Sequence, residues 1–218
     1  MPRSPKAKLT ASAPAERWAG TTLEDGAAHE SLLIASADLA GQQARGARFD
    51  DVHVVQTSLA GVTLSDLELN NVRFEECDLS NAVWEQAFAR LTVFKGCRMT
   101  GFSVIEAILR HVHFQDCSAR LARFRFARFD KPRFERCDLR EADFQGAELS
   151  GAVFAACDLR GAEMAGAKLA SVDLRGCQIE GARLQPDQLR GGTVDLTQAV
   201  YLIEALGINV EDLAKIQV

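Results

Sequence analysis

The sequence predicts an all-β solenoid, in which the chain winds around one axis and comes back to the same place in every coil. Two nested periods indicate this fold. A period of five residues holds in one register from residue 37 to residue 191. Regular repeats of this kind are typical of stacked architectures, in which each unit packs only against its neighbours. A period of twenty residues is shown by the six cysteines of the chain, which are Cys77, Cys97, Cys117, Cys137, Cys157 and Cys177.

The five-residue block has two apolar positions. Counted from Leu39, its centre is Leu, Phe, Met, Ile, Val or Trp in 28 of 31 blocks. The residue two places before the centre is Ala, Cys, Val, Thr or Pro in 27 blocks. Neither the period of 3.6 that marks a helix nor the period of 2 that marks a strand fits this pattern. Four blocks make one twenty-residue coil, so we expect a four-sided cross-section with one block on each side.

Residues twenty apart should lie directly above one another in such a solenoid. The cysteines then occupy one corner of six coils, and we expect them to be buried, reduced and small core residues. Coils that pair like strands rise by about 4.8 Å, a spacing that suits stacked aromatic rings. Nearly eight coils would make a rod roughly 35–40 Å long. The predicted column of rings consists of Phe74, Phe94, Phe114, Phe134 and Phe154.

The two ends of the chain depart from the repeat. Residues 1–21 are rich in Pro, Ala and Ser and are predicted to be disordered. Residues 22–36 are predicted to form an N-terminal cap, in which Leu32, Leu33 and Ile34 either begin the first coil or plug its open end. The β-helix is expected over 37–191 and a C-terminal helix and tail over 192–218.

A capping box of Asp195 and Gln198 predicts where the C-terminal helix begins, and Gly207 predicts where it ends. A solenoid must cover its last coil, because an open edge pairs with other chains. The segment either acts only as this cap or also joins two molecules. In the second case the expected dimer contacts are Val200, Leu202, Ile203, Leu206, Ile208 and Val210, and Leu213 and Ile216 add a small apolar stripe in the tail.

Charge and hydropathy exclude some classes of function. The net charge of the 218-residue chain is −5, and residues 37–191 are nearly neutral, with 22 acidic and 20 basic residues. Direct nucleic-acid binding is therefore not expected. No apolar run is long enough to span a membrane, and no apolar segment follows the basic N-terminal residues as in a signal peptide. We expect a cytoplasmic protein with no membrane association.

One coil is unusually basic and is the first candidate binding surface. Arg120 should also align with Arg140 and Arg160, which follow at intervals of twenty. The coil is either a site for an anion or an acidic partner, or a solvated face whose charge nearby aspartates such as Asp138 and Asp158 offset. Its basic residues are Arg120, Arg123, Arg125, Arg128, Lys131, Arg133 and Arg136.

Apolar residues at outward positions form the second candidate surface. Phe88 and Ile108 are twenty apart and should be neighbours on one side of the rod. Contiguous exposed apolar surface often marks an interface. Alternatively, these side chains fold back to fill the space above small residues such as Ala87 and Ala107. The outward apolar positions are Val83, Phe88, Val93, Ile105 and Ile108.

Residues suited to catalysis are not grouped in the sequence. The four histidines are not accompanied by a cluster of cysteines and carboxylates, and no glycine-rich phosphate loop is present. Nothing positions a nucleophile next to a base. We therefore expect a protein that is not an enzyme and that needs neither a cofactor nor a metal.

Blocks such as Cys77-Asp78-Leu79-Ser80-Asn81 and Cys157-Asp158-Leu159-Arg160-Gly161 resemble the repeat unit of the pentapeptide-repeat family. The resemblance covers about seven tenths of the chain. It implies a right-handed quadrilateral β-helix of about eight coils with a short C-terminal α-helical cap.

The C-terminal ending is similar to that of the topoisomerase-protecting members of this family, which include the Qnr-type quinolone-resistance and albicidin-resistance proteins. The similarity lies in Gly192-Thr193-Val194-Asp195, in Gln198-Ala199 and in Leu206-Gly207-Ile208-Asn209-Val210. It implies a homodimer joined through the C-terminal segment that imitates duplex DNA and binds DNA gyrase or topoisomerase IV. The alternative is a general protein-interaction scaffold with a different partner.

Overall fold

The fold is a parallel β-solenoid of about seven turns that ends in one short helix, as seen in a computed structural model that describes residues 16–211. Each turn has four sides. The first side along the chain has no named strand among the described residues and is held by isolated single-residue bridges from Asp38 to Gln178; we call it the bridge face. A three-stranded, a six-stranded and an eight-stranded face follow in that order. The four-sided coil predicted from the five-residue block is therefore confirmed; its handedness remains an expectation.

All strands are short, and the strands of each sheet are parallel. The eight-stranded face consists of β1 (Glu16–Arg17), β3 (Leu32–Ala35), β6 (His53–Val55), β9 (Arg73–Glu75), β12 (Val93–Lys95), β14 (His113–Gln115), β16 (Arg133–Glu135) and β17 (Val153–Ala155). The six-stranded face consists of β2 (Ala28–Glu30), β5 (Arg48–Asp50), β8 (Glu68–Asn70), β11 (Phe88–Arg90), β13 (Ile108–Arg110) and β15 (Arg128–Asp130). The three-stranded face consists of β4 (Gln43–Arg45), β7 (Thr63–Ser65) and β10 (Val83–Glu85).

The strand register places residues twenty apart side by side. Phe94 of β12 pairs with Phe74 of β9 and with Phe114 of β14. Isolated bridges with the same offset continue beyond the named strands, for example from Asp138 to Asp158. Each coil therefore repeats the one below it without insertion.

A left-handed backbone at every fifth residue turns the chain from one side to the next. The torsion φ is positive at every fifth position from Gly26 to Gly181, and twenty of these corner positions carry a residue other than glycine. The left-handed region is open to glycine and tolerated by asparagine and aspartate, whereas other residues pay for it in strain. The block length of five is thus set by one corner residue per side.

The interior is filled by the block centres and by the small residues two places before them. The rings of Phe74, Phe94, Phe114, Phe134 and Phe154 form the predicted column, with centroids 4.7–5.0 Å apart and planes within 6° of parallel. All six cysteines are buried and free, as expected. Five of the thiols donate to a backbone carbonyl of the coil below, such as Cys117 Sγ at 3.4 Å from the Phe94 oxygen, whereas the Cys157 thiol donates to Ala155 of its own coil.

The regular coil begins earlier in the chain than the predicted boundary at residue 37. Ile34 is fully buried, and β3 pairs with β6, so residues 22–36 form a first coil and not a plug. Residues 16–18 fall within the segment predicted to be disordered, yet β1 pairs with β3, and Trp18 packs edge-on against His29 at 6.0 Å. The Trp18 ring packs against the core and thereby holds residues 16–18 on the first coil. Residues 1–15 of the predicted disordered segment lie outside the described part.

The C-terminal end is closed by two short helices. A 3-10 helix (Pro186–Leu189) replaces the last side of the repeat, and α1 (Leu196–Ala205) follows. The predicted capping box is present, since the Asp195 carboxylate accepts from the Gln198 N–H and the Gln198 side chain accepts from the Asp195 N–H. Leu213 and Ile216 of the predicted tail stripe lie outside the described residues. No helix among residues 16–211 is long and apolar enough to cross a lipid bilayer.

Candidate functional site: the partner-binding surfaces

The basic coil is largely neutralised by carboxylates of neighbouring coils. Arg120 forms an ion pair with Glu141 at 2.5 Å, and Arg136 contacts Asp116 at 2.6 Å. Arg133 contacts Glu135 in the same way. Arg125 lies 3.4 Å from Asp143 and also donates to Gln145. Most of this coil therefore behaves as the solvated, compensated face that was one of the two sequence-based alternatives.

Two arginines of the coil form no ion pair among residues 16–211, although the charge of Arg128, after the hydrogen bond and charge of Lys168, helps to lower the pKa of Glu148 on the next coil. Arg123 and Arg128 are both exposed, and neither forms an ion pair with any carboxylate in the described part of the chain. Arg123 lies on the three-stranded side and Arg128 on the six-stranded side of the same coil. Of the arginines predicted from this coil to bind a partner, these two are the ones that a ligand could use without breaking an existing pair.

The stack of Arg120, Arg140 and Arg160 is also compensated. Arg140 binds Asp138 through two nitrogens and lies 3.6 Å from Asp158, which in turn binds Arg160 at 2.6 Å. The hydrogen bonds from Arg140 and Arg160 hold the pKa values of Asp138 and Asp158 below their usual range. The two aspartates offset the like charges, as the sequence suggested.

Phe88 and Ile108 are neighbours on the six-stranded face, as predicted from their spacing. Both are half-buried, and the guanidinium of Arg110 lies over the Phe88 ring at 5.7 Å. Val93 is buried, whereas Ile105 is exposed. The expected apolar surface is therefore partly covered by its own neighbours.

Two of the large apolar side chains most exposed on the described part of the solenoid were not predicted from the sequence. Leu121 is 46% exposed and Phe126 is 50% exposed. Both occupy corner positions, with φ of 60° and 56°. The signal that could have found them is their identity, because the last position of a block usually carries a glycine or a polar residue.

The rod is neutral only on average, because its charge is divided along its length. Residues 16–106, which we call the acidic half, carry fourteen acidic and seven basic residues. Residues 107–191 carry twelve acidic and fourteen basic residues. The acidic half includes exposed carboxylates such as Glu85 and Glu106 on or beside the three-stranded face. The surface therefore changes sign between the two halves.

Helix α1 has one side that packs on the last coil and one that faces solvent. Gln198 is buried, and its side-chain amide donates to the carbonyls of Leu174 and Cys177 at 2.5 and 2.8 Å. The Tyr201 hydroxyl accepts from the Gly181 N–H at 2.7 Å. Leu202 packs against the core. These contacts satisfy backbone groups of the last coil, as a cap must.

The predicted dimer contacts are divided between these two sides of α1. Val200 and Leu202 are half-buried, and Leu202 packs against the core as part of the cap. The remaining four predicted contacts are exposed, with Leu206 at 57% and Ile208 at 54%. Leu196, which was not predicted, is 81% exposed. The exposed apolar residues that we call the terminal patch are Leu196, Ile203, Leu206, Ile208 and Val210.

The titratable groups form structural ion clusters. Hydrogen bonds from Arg73, His53 and Lys95 converge on Glu75 and, led by that from Arg73 and opposed by partial burial, lower the pKa of its carboxyl to about 2. Among the described residues, no group of three or more histidine, cysteine or acidic side chains is placed to hold a metal ion.

Comparison with known proteins identifies the repeat. The model of the pentapeptide repeat region matches residues 67–144 and 127–201, and a second model, of eight pentapeptide repeats, matches residues 45–81. No curated protein sequence matches the chain.

Several solved structures resemble the chain. A trypsin-treated form of QnrB1, described as a plasmid-mediated fluoroquinolone resistance protein, is 25% identical over 90% of this chain and 95% of its own, with a TM-score of 0.43. Full-length QnrB1 is 21% identical over 84% of this chain and all of its own, with a TM-score of 0.36. HetL of the cyanobacterium Nostoc, described as involved in heterocyst differentiation regulation, is 18% identical over 77% of this chain and 87% of its own, with a TM-score of 0.35.

The assignment to a family rests on the repeat models, which together cover more than half of the chain, and on the coil geometry that agrees with them. The chain belongs to the pentapeptide-repeat family.

Proposed function

We propose that this protein is a non-enzymatic, cytoplasmic binding protein that protects a bacterial type II topoisomerase, DNA gyrase or topoisomerase IV, from a poison. It acts as a rod-shaped homodimer whose surface imitates duplex DNA. The proposal combines the C-terminal ending, which resembles that of topoisomerase-protecting proteins, with the charge distribution of the rod.

The observation that carries the proposal is the acidic half. A DNA mimic must present closely spaced negative charges on a stiff support, because a DNA-binding surface recognises phosphates by their charge. Residues 16–106 have an excess of seven acidic residues over basic ones. Corner and outward carboxylates such as Asp51, Glu85 and Glu106 are exposed. The near-neutral average of the rod therefore does not prevent mimicry by this half.

The terminal patch supports the dimer. A helix that only capped the coil would need apolar residues on one side, yet α1 and the residues after it expose Ile203, Leu206 and Ile208 on the other. Exposed apolar residues grouped at one end of a rod favour pairing of two rods end to end. Such a dimer would place the two acidic halves at its far ends.

The experiment that tests the proposal is a gyrase supercoiling assay in the presence of a quinolone or another topoisomerase poison. Addition of the purified protein should restore supercoiling at poison concentrations that abolish it. The assay should be repeated with topoisomerase IV decatenation and with poisons of different chemistry. Failure to rescue either enzyme from any of them would contradict the proposal.

A pair of charge variants tests the DNA-like surface itself. Glu85→Gln with Glu106→Gln removes two charges from the acidic half, and Glu180→Gln with Asp187→Asn removes two exposed charges from the other end. If the acidic half binds a DNA-binding surface, the Glu85/Glu106 double variant should rescue the poisoned enzyme less well than the Glu180/Asp187 double variant. Its rescue should also depend less on salt concentration. Equal effects of the two double variants would contradict DNA mimicry by the acidic half, because the position of the lost charges would then not matter.

The second candidate function is a protein-interaction scaffold with another partner. The feature that favours it is the exposed corner of Leu121 and Phe126, which carries apolar surface and positive charge where a DNA mimic needs negative charge. An affinity capture that recovers one different protein reproducibly, and no topoisomerase, would favour the scaffold.

A further inference from the structure

The coil at residues 121–128 has two unusual corners. The large apolar side chains most exposed on the described part of the solenoid are Ile105, Leu121 and Phe126. Leu121 and Phe126 occupy the two corners at the ends of one side of the rod. They are five residues apart in the chain, which corresponds to at most about 17 Å. Ile105 lies one coil below them on the same side. Three exposed apolar residues are thus gathered on adjacent coils of one surface.

Burial accounts for only about half of the Leu121 and Phe126 side chains. Both have a left-handed backbone, with φ of 60° and 56°, in which a leucine or phenylalanine is strained. Glycine or asparagine would adopt this conformation with less strain. Half-exposed side chains recover only part of the strain by burial. The fold requires this backbone at every corner, so the feature that distinguishes these two corners is their exposed apolar side chain, which is typical of an interaction surface.

Positive charge flanks the exposed phenylalanine. Arg123 and Arg128 lie on either side of Phe126 around the corner, and both are exposed and unpaired among residues 16–211. Arg125, which lies between them, is held by Asp143 and lies over the Phe126 ring at 5.7 Å. The Phe126 ring also covers the next corner, since a Cβ added at Gly146 would lie 2.5 Å from its Cδ1 atom. The ring is therefore in contact with the coil above it and with Arg125 on one side.

We propose that the corner patch of Leu121, Arg123, Phe126 and Arg128 docks a protein segment that presents an apolar side chain between carboxylates. Guanidinium groups bind carboxylates through paired hydrogen bonds, and the apolar side chain would pack on Phe126 and Leu121. This inference rests on the proposed function, because the docked segment is taken to belong to the topoisomerase. A DNA-binding surface is basic and would be repelled here, so the corner patch binds a different, acidic site on the same partner.

The surface beside the patch favours a protein over a nucleic acid. Below Ile105 lies an open groove lined by Ser65, Val83 and Ser103, and its rim carries Glu85 and Glu106. A nucleic acid that extended from the two arginines over the groove would meet Glu106 on the coil below and Glu85 on the coil below that. A protein segment can instead place a polar or basic residue over the groove.

The test measures binding of purified gyrase to the full-length protein. The apolar variant combines Leu121→Asn with Phe126→Asn, because asparagine accepts the left-handed backbone. Its matched control is Leu91→Asn, another corner leucine, with φ of 51°, on a different edge of the rod. The charge variant combines Arg123→Gln with Arg128→Gln, and its control combines Arg90→Gln with Arg190→Gln, two other exposed arginines. Thermal unfolding of each variant accompanies the binding assay.

We expect both patch variants to lose affinity by at least about tenfold, while both controls stay within about twofold of the wild type. The apolar variant should melt no lower than the wild type, because the change relieves strain. Wild-type binding that the patch variants retain would overturn the inference and leave the proposed function intact. A wild type that binds no topoisomerase would overturn both.

Two further outcomes would also overturn the docking site. If the apolar variant melted several degrees lower than the wild type, the side chains would serve folding. If a labelled single-stranded oligonucleotide bound the wild type and not the patch variants, the patch would belong to nucleic-acid recognition.

Discussion

Each corner residue of the solenoid has a backbone conformation that glycine adopts freely and most other residues adopt under strain. Fourteen glycines have positive φ, but their surroundings differ. Gly151 has open space where a side chain would be, whereas the ring of Phe126 fills that space at Gly146. Substitution by alanine therefore places a methyl group in open space at Gly151 but against the Phe126 ring at Gly146.

At the residue scale, we predict that Gly146→Ala destabilises the protein more than Gly151→Ala. Both changes add a side chain to a left-handed residue, which costs about 1 kcal/mol. At Gly146 the Phe126 ring must also move, which adds roughly 1 kcal/mol. Chemical denaturation measures both values.

A double-mutant cycle provides the control for this prediction. In a Phe126→Asn background the excess cost of Gly146→Ala should disappear, because the ring is gone. An excess that survives in that background would show that the ring contact is not its cause.

A second prediction at this scale concerns His29, a block centre that stacks on Phe49 at 4.8 Å. Burial lowers the pKa of His29 from its usual 6.5, against the opposing pull of Glu24. Burial likewise lowers the pKa of His113. A base with a lowered pKa in the folded state binds fewer protons than the unfolded chain just below pH 6.5, so stability should fall as the pH drops from about 7 to about 5.

The measurement is the free energy of unfolding across that pH range. His29→Leu should remove part of the pH dependence, because leucine is the usual residue at block centres. His113→Gln, at an outward position, should remove the other part. Carboxylates of the unfolded chain begin to bind protons near the acid end of this window, so the histidine contribution is the difference between the profiles of the wild type and the variants. A pH profile unchanged in the double variant would contradict the assignment to these histidines.

At the scale of single elements, the two terminal helices share one capping device. Gln198 of α1 donates to the Leu174 and Cys177 carbonyls, and Gln188 of the 3-10 helix donates in the same way to the Met164 and Ala167 carbonyls. Each glutamine also accepts from the backbone N–H that precedes its helix. The ends of the last coil are therefore closed by side-chain amides.

We predict that Gln198→Leu destabilises the protein by about 2–3 kcal/mol, because it leaves the buried Cys177 carbonyl and the Asp195 N–H without partners. It also removes one of the two hydrogen bonds that the Leu174 carbonyl accepts, the other coming from the Cys177 N–H. The control is Thr197→Ala, an exposed change in the same turn, which should stay within about 0.5 kcal/mol of the wild type. Equal stability of the two variants in denaturant would show that the amide does not hold the cap.

At the scale of the whole molecule, the terminal patch predicts a dimer. Ile203→Glu with Leu206→Glu places two charges in the proposed contact, and burying them would be costly. Light scattering should therefore give a dimer mass for the wild type and a monomer mass for this variant.

The control for the dimer prediction is Ile105→Glu, which adds a charge at a comparably exposed apolar residue on the side of the rod. It should leave the dimer mass unchanged. A wild type that remains a monomer over the accessible range of concentration would contradict the proposed end-to-end pairing.

The features that could be predicted from the sequence are those that follow from the repeat period or from local residue types. The burial of Cys117 and the stacking of Phe114 on Phe94 and Phe134 follow from a period that can be counted, because each coil packs only on its neighbours. The capping box at Asp195 follows from local residue types. The start of the first coil was missed because His29 and Glu24 interrupt the apolar pattern there, although His29 is packed between Trp18 and Phe49.

The candidate surfaces were harder to predict. Nothing in a run of arginines says that Arg120 is paired with Glu141 while Arg123 is free, since each pairing depends on where side chains from the next coil extend. The exposure of Phe126 does not follow from the five-residue pattern, because that pattern defines only the two buried positions of a block.

By itself, the amino-acid sequence determined the architecture: the five-residue period, the buried column of rings and thiols, and the capped C-terminal end. It could do so because a one-dimensional repeat brings residues together at a constant offset along the chain. Only the tertiary structure decided which charges remain free and which apolar residues are exposed. Those properties depend on contacts between side chains of adjacent coils, where a few ångströms separate a compensated arginine from one that is open to a partner.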